Sequence, residues 1–145
     1  MEEPFYPFSV SESKLVFEFE SVSNYAKVRK VIVYSRMNIP GFYNLALLDE
    51  TTDGTTSDVT VTDNKDMKFV LATVYQTMLV FLNEYADSRI FFTGNTPART
   101  RLYRIAINRE LVKVSDSLLI QGFVGSIFEP FAPNRDYTAF LISRK

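Results

Sequence analysis

The sequence predicts an α+β fold: a mainly antiparallel β-sheet with two principal helices packed on one face. Three observations carry that expectation. β-rich runs recur from Lys14 to Leu48, separated only by short turns. Two later stretches, beginning near Asn64 and Thr96, instead show apolar residues at helical spacing behind residues that cap helices. The 145 residues, 46% hydrophobic and 23% charged, have the size and balance of one ordinary globular unit, so 1–145 is read as a single α+β domain.

The elements follow in order. Residues 1–12 read as an irregular N-terminal segment, with Pro4 and Pro7 set among Phe5, Tyr6 and Phe8. From Lys14 to Glu20 the chain alternates. Leu15, Phe17 and Phe19 take one face and Lys14, Glu18 and Glu20 the other, as in a half-buried strand. Ser21 to Asn24 makes a turn, and Lys27 to Arg36 a second strand around Val31-Ile-Val-Tyr34. Pro40-Gly41 breaks the chain before a third strand, Phe42 to Leu48, which completes an antiparallel meander. Asp49 to Ser57 is a polar loop, and Asp58 to Thr62 a short strand.

Asp63 or Asn64 then caps a helix running from Lys65 to about Tyr85. Asp66 falls in the first turn, where the helix dipole favours an acid. Val70, Val74, Met78, Phe81 and Tyr85 recur at helical spacing, and Leu71, Leu79 and Leu82 widen the stripe. So broad an apolar face belongs against a sheet. Arg89 to Thr93 is a buried-type strand, ended by Gly94-Asn95. Thr96 caps the second helix, Pro97 takes its first position, and it runs to about Val114. Ala98, Leu102, Ile105 and Ala106 are read as its inner face. A strand from Ser117 to Gly122, a loop through Pro130 and Pro133, and a last strand from Asp136 to Ser143 complete the order βββ(β)αβαββ.

Composition excludes several chemistries. Without histidine there is no Ser-His-Asp triad and no histidine base. Without cysteine there is no thiol catalysis, iron–sulfur cluster or ordinary structural zinc site, and no disulfide ties the chain to an oxidising compartment. The five scattered glycines form neither a P-loop nor a dinucleotide fingerprint, so no cofactor is expected. Asp49, Asp53 and Gly54 stand where a calcium loop wants its first, fifth and sixth positions, but Thr60 replaces the required final Glu. The acidic start lacks the basic and apolar regions of a signal peptide, and the longest apolar stretch, Val70 to Leu82, is too short to span a bilayer. A cytoplasmic protein without a membrane partner is the expectation. The 13 Phe and 8 Tyr read first as a Phe-rich core, and second as an apolar surface for a homodimer.

Charge is segregated along the chain. Asp49 to Asp66 holds six acids and one lysine, whereas Ser88 to Arg109 holds five arginines and no acid. Basic residues are disfavoured in a helix first turn, where the dipole is already positive, yet Arg99 and Arg101 sit near that turn with Arg104 just beyond. An anion at the helix start would account for the placement. Thr96, Arg99, Arg101, Arg104 and Asn108 are the candidate anion-binding residues, with Tyr103 as a stacking platform. The ligand class is a nucleotide, a nucleic-acid phosphate or a partner's carboxylate. The bland alternative pairs these arginines with Glu110, Asp116, Glu129 or Asp136, with Arg109 near the inner face the first to do so. A non-catalytic module that binds an anionic partner is the leading reading. A histidine-free, ribonuclease-like enzyme using Arg101, Tyr103 and Arg104, or a structural interaction domain, are the alternatives. On this reading Arg101 and Arg104 both face outward, and replacing both with alanine leaves the fold intact.

One stretch, Thr93-Gly-Asn-Thr-Pro-Ala-Arg-Thr-Arg-Leu-Tyr-Arg104, resembles a segment shared by the DUF6934 family of small Bacteroidetes proteins. Tyr6-Pro-Phe8, Phe17-Glu-Phe19, Tyr43-Asn-Leu-Ala46, Val70-Leu-Ala-Thr-Val74, Glu129-Pro-Phe131 and Asp136-Tyr-Thr-Ala-Phe-Leu141 agree with it, so the resemblance covers nearly the whole chain. It implies a bacterial, cytoplasmic protein and carries over no catalytic residue.

Overall fold

The computed structural model describes residues 4–22, 27–50, 56–57, 67–94, 96–111 and 116–145. Ser23 and Asn24 of the expected turn, the strand expected at Asp58–Thr62 and the helix cap at Asp63, Asn64 and Asp66 lie outside them, while Ser21 and Val22, read as the start of that turn, continue a strand.

The described residues form strands β1 (Phe8–Val10), β2 (Val16–Val22), β3 (Lys27–Arg36), β4 (Phe42–Glu50) and β5 (Thr56–Ser57), followed by helix α1 (Met67–Glu84). After β6 (Arg89–Phe92) come helix α2 (Pro97–Ala106) and a π-helical turn (Ile107–Leu111), then β7 (Leu118–Val124), β8 (Ile127–Pro130) and β9 (Ala139–Arg144). All the strands join one sheet in the order β1-β2-β3-β4-β6-β9-β7-β8, with β5 against the end of β4. The expected meander is present: Val16 pairs with Val33 and Tyr34 with Leu45, both antiparallel. Among the described strands only β4 and β6 run parallel, because α1 carries the chain back across the sheet between them. The α+β class and the mainly antiparallel sheet are as the sequence predicts.

Three strands appear where none was expected: β5, within the stretch Asp49 to Ser57 read as a polar loop, pairs Ser57 with Asp49 and Thr56 with Glu50 at the end of β4, and two others lie at the sheet edges. Phe8–Val10, within the segment read as irregular, pairs with β2, and Ile127–Pro130, within the loop, pairs with β7. β1 and β8 are edge strands of three and four residues, and β5 has two; all are too short to show a period. Gly125, at φ +65°, makes the turn between β7 and β8.

One face of the sheet carries the core. Phe17, Phe19, Ile32, Tyr34, Leu45, Ile90, Phe92, Phe140 and Ile142 form a buried cluster with Val74, Met78 and Phe81 of α1 and Tyr103 of α2. Both helices therefore lie on the same face. The rings are packed at specific angles, with Phe81 stacked on Tyr34 (centroids 4.3 Å apart) and Tyr103 on Phe92 (4.6 Å). Two hydroxyls of α1 are fully buried. Thr77 donates to the Val74 carbonyl at 2.7 Å and meets the Tyr34 hydroxyl at 2.9 Å, while Thr73 accepts the Tyr6 N–H at 2.9 Å. The same face buries an ion pair between β3 and β4. Lys30 Nζ lies 2.6 Å from Asp49 Oδ1, and both side chains are almost wholly buried. Asp49 is thus committed to a lysine and is no calcium ligand.

The inner face of α2 is not the expected one. Thr100, Tyr103, Ala106 and Ile107 are buried, whereas Ala98 is exposed and Leu102 and Ile105 are 55% and 37% exposed. Only Ala106 of the expected set points inward. The stacking of Tyr103 on Phe92 and the hydrogen bond at Thr100 set the helix rotation, and an aromatic ring buries more surface than either aliphatic side chain outside. The α-helix also stops at Ala106 and widens into the π turn, short of the expected Val114. Residues 112–115 lie outside the described residues.

Candidate functional site

The site is built where β6 runs into α2. Gly94 is buried there, and its N–H donates to Thr100 Oγ1 at 3.0 Å. A Cβ on Gly94 would stand 2.4 Å from the Thr100 backbone nitrogen, so glycine is what lets the first turn of α2 rest against the strand end. Thr96 caps the helix as expected. Its hydroxyl accepts the Arg99 N–H at 3.1 Å and its carbonyl the Thr100 N–H at 3.0 Å. Pro97 has no N–H to give, so most of the first-turn donors are already satisfied or missing. An anion here would depend on arginine side chains more than on the helix end.

The facing wall comes from the segment between β8 and β9. Tyr137 is 4% exposed and packs over Gly122, where an added Cβ would lie 2.4 Å from the ring. Its hydroxyl donates to Glu129 Oε2 at 2.8 Å and accepts the Ala132 N–H at 3.0 Å. Arg135 Nη2 donates to the other Glu129 oxygen at 2.8 Å. The bonds from Arg135 and then Tyr137 hold the Glu129 carboxyl below its ordinary pKa, and burial followed by the bond to Glu129 raises that of Tyr137. Thr93 ties the two walls together, donating to the Thr138 carbonyl at 3.0 Å.

Between the walls lies a cleft of about 610 Å³, lined by Thr93, Thr96, Pro97, Thr100, Arg101, Arg104, Asp136, Tyr137 and Thr138. The structure thus brings Thr96, Arg101 and Arg104 together. Arg101 is exposed and, among the described residues, has no carboxylate partner. Arg104 differs. Its side chain is 16% exposed, and Nη1 donates to the Arg135 carbonyl at 2.7 Å and to Asp136 Oδ1 at 3.0 Å. It does not face freely outward as expected: Arg104 clamps the far wall. Arg99 is half-buried on the opposite flank, close enough to Tyr103 to act on its hydroxyl. Asn108 is exposed in the π turn and does not line the cleft. Arg109, placed near the inner face by the sequence, is exposed and makes no ion pair among the described residues.

Tyr103 is 3% exposed, and its ring is already stacked on Phe92, which leaves no face for a base. Burial is the main reason its hydroxyl is pushed up to about 12, with Arg99 opposing and Asp49 reinforcing the shift. The cleft residues outside the candidate set include Thr93 and Thr100, uncharged neighbours of Thr96, and Tyr137 and Thr138, which reach the cleft from a segment distant in sequence. Among the described residues no group of acids is placed to hold a metal ion, and no helix is long and apolar enough to cross a membrane.

No curated protein and no solved structure matches the chain. A family model does, over residues 2–145, and on that match the chain belongs to DUF6934, a family of unknown function.

Proposed function

We propose that this protein is a non-catalytic binding module that takes an anionic group, a phosphate or a carboxylate, in the cleft at the start of α2. The observation that supports the reading most is the pairing of an exposed Arg101, without a carboxylate partner among the described residues, with a half-buried, pre-positioned Arg104 on one wall of a cleft of about 610 Å³. An arginine held in place by its neighbours loses little freedom when an anion arrives, and its planar fork suits oxyanions. Thr96, whose hydroxyl serves among the described residues only as an acceptor for the Arg99 N–H, keeps a hydrogen to give along the same cleft. The enzyme reading draws less support, because Tyr103, one of its three candidate residues, is buried in the core with its hydroxyl pKa raised.

The test is a thermal-shift titration with inorganic phosphate, a nucleoside triphosphate and a short RNA, at low and moderate salt. The expected result is a salt-sensitive rise in Tm that Arg101→Ala removes. No rise with any of these anions, or a rise that survives Arg101→Ala, refutes the reading.

A further inference from the structure

α2 turns toward solvent the side that its sequence marks as apolar. Ala98, Leu102 and Ile105 share one ridge, with Leu102 55% and Ile105 37% exposed. The opposite side already supplies the core contact through Tyr103 and Ile107. A surface helix needs one apolar stripe, and this helix has two. Isolated exposed leucines are ordinary, but Leu102 and Ile105 are helix neighbours three residues apart and form a continuous contact strip.

Two arginines flank the strip. Arg101 borders it on the cleft side, and Arg109 follows in the π turn. Both are exposed, and among the described residues neither has a carboxylate partner. Aliphatic anchors flanked by free guanidinium groups complement an occupant that is itself part apolar and part acidic. We infer that the outer ridge of α2 docks an acidic, amphipathic segment of another protein, whose apolar side chains cover Leu102 and Ile105 and whose carboxylates pair with Arg101 and Arg109. The inference builds on the proposed function through Arg101, and it makes the anion in question a protein carboxylate.

A nucleic acid fits less well. Its phosphates would neutralise the arginines but leave the aliphatic strip wet, and a chain of net charge −1 lacks the basic stripe that backbone binding needs. Carboxylates carried on a peptide satisfy both halves of the surface, through bidentate pairing and ridge packing.

A random peptide display library, selected on the whole chain and counter-selected on a Leu102→Asp, Ile105→Asp variant, tests this directly. A random RNA pool and inorganic phosphate are run alongside. The variant should fold, since both sites are exposed. If its melting curve is lost, Arg101→Glu with Arg109→Glu replaces it. The expected result is enrichment of peptides that combine Asp or Glu with apolar residues three or four apart, weakened about tenfold or more by either variant. Basic or uncharged winners, winners indifferent to both variants, or no enrichment at all overturn the inference. Enriched RNA that depends on Arg101, or phosphate binding without any acidic peptide, overturns the protein partner while leaving the cleft as an anion site. Silence from peptide, RNA and phosphate together removes the proposed function as well.

Discussion

Gly94→Ala should be the most damaging small change at this site. An added Cβ would stand 2.4 Å from the Thr100 nitrogen, 2.7 Å from the Arg99 carbonyl carbon and 2.9 Å from the Thr100 Cα. Every one of these is backbone, so no side chain can swing aside, and the first turn of α2 must lift by roughly 1 Å to restore ordinary contact. Overpacking of this kind costs about 1 to 3 kcal/mol. Lifting the turn also weakens the Gly94 to Thr100 hydrogen bond, worth about 1 kcal/mol. Stiffening the unfolded chain returns only about 0.4 to 1 kcal/mol. The expected net loss is about 2 to 3 kcal/mol, or roughly 5 to 10 °C in Tm for a chain of this length. Urea unfolding of the variant beside Gly41→Ala gives the measurement. Gly41 sits at φ +83° with nothing within 4 Å of its would-be Cβ, so that control should lose only about 1 kcal/mol of backbone strain. If Gly94→Ala unfolds within 0.5 kcal/mol of the parent, α2 does not depend on that close approach and the account of the cleft is wrong.

Three further predictions follow from the same contacts. Arg101→Ala should leave the urea midpoint unchanged, because the side chain is exposed and has no ion-pair partner among the described residues, whereas Arg104→Ala should lower stability by about 1 to 2 kcal/mol through its lost bonds to Arg135 and Asp136; equal effects in the two variants would contradict the assignment. Lys30→Met should cost about 3 kcal/mol or more, since it strips the lysine from a buried Asp49, while Lys30→Met with Asp49→Leu should recover most of that loss; a double variant no better than the single one would count against a simple ion pair. The fold should become labile in alkali. Tyr103 titrates near 12 when folded against an ordinary 10.0, and Tyr34 is shifted in the same direction, so the stabilisation is complete below pH 10 and drains away as pH rises toward 12. The Tyr103 share is about 2 to 3 kcal/mol, and melting curves across that window should flatten in Tyr103→Phe.

What could be read from the sequence was whatever had length and a period. The ten residues of β3 match their expected bounds, and α1 buries the stripe from Val70 to Leu82 as its spacing predicts. The three residues of β1 and the four of β8 had no such signal, since their pairing is decided by β2 and β7 and not by their own pattern. The start of the site was also legible, because a glycine, a capping threonine and a proline at the first helical position are local signals. Its far wall was not. Asp136, Tyr137 and Thr138 reach the cleft only because β9 inserts between β6 and β7, a long-range pairing that no window of sequence contains.

The rotation of α2 shows why this failure was specific. Hydropathy ranks Leu102 and Ile105 above Thr100 and Tyr103, so a stripe drawn on that scale turns the helix toward the wrong side. The fold decides differently, because its core is already aromatic where α2 lands: Phe92 offers a flat ring that Tyr103 can cover and an aliphatic side chain cannot match. Once Tyr103 is down, Thr100 falls beside Gly94, where its hydroxyl meets an N–H that would otherwise be buried without a partner. Helical geometry then leaves Leu102, Ile105 and Arg101 no choice but to face out. The exposed ridge and the free arginine are therefore consequences of one buried stack. A Tyr103→Ala variant that loosens it should disturb the cleft and the outer ridge together, while Arg101→Ala, acting on the rim alone, should disturb binding and nothing else.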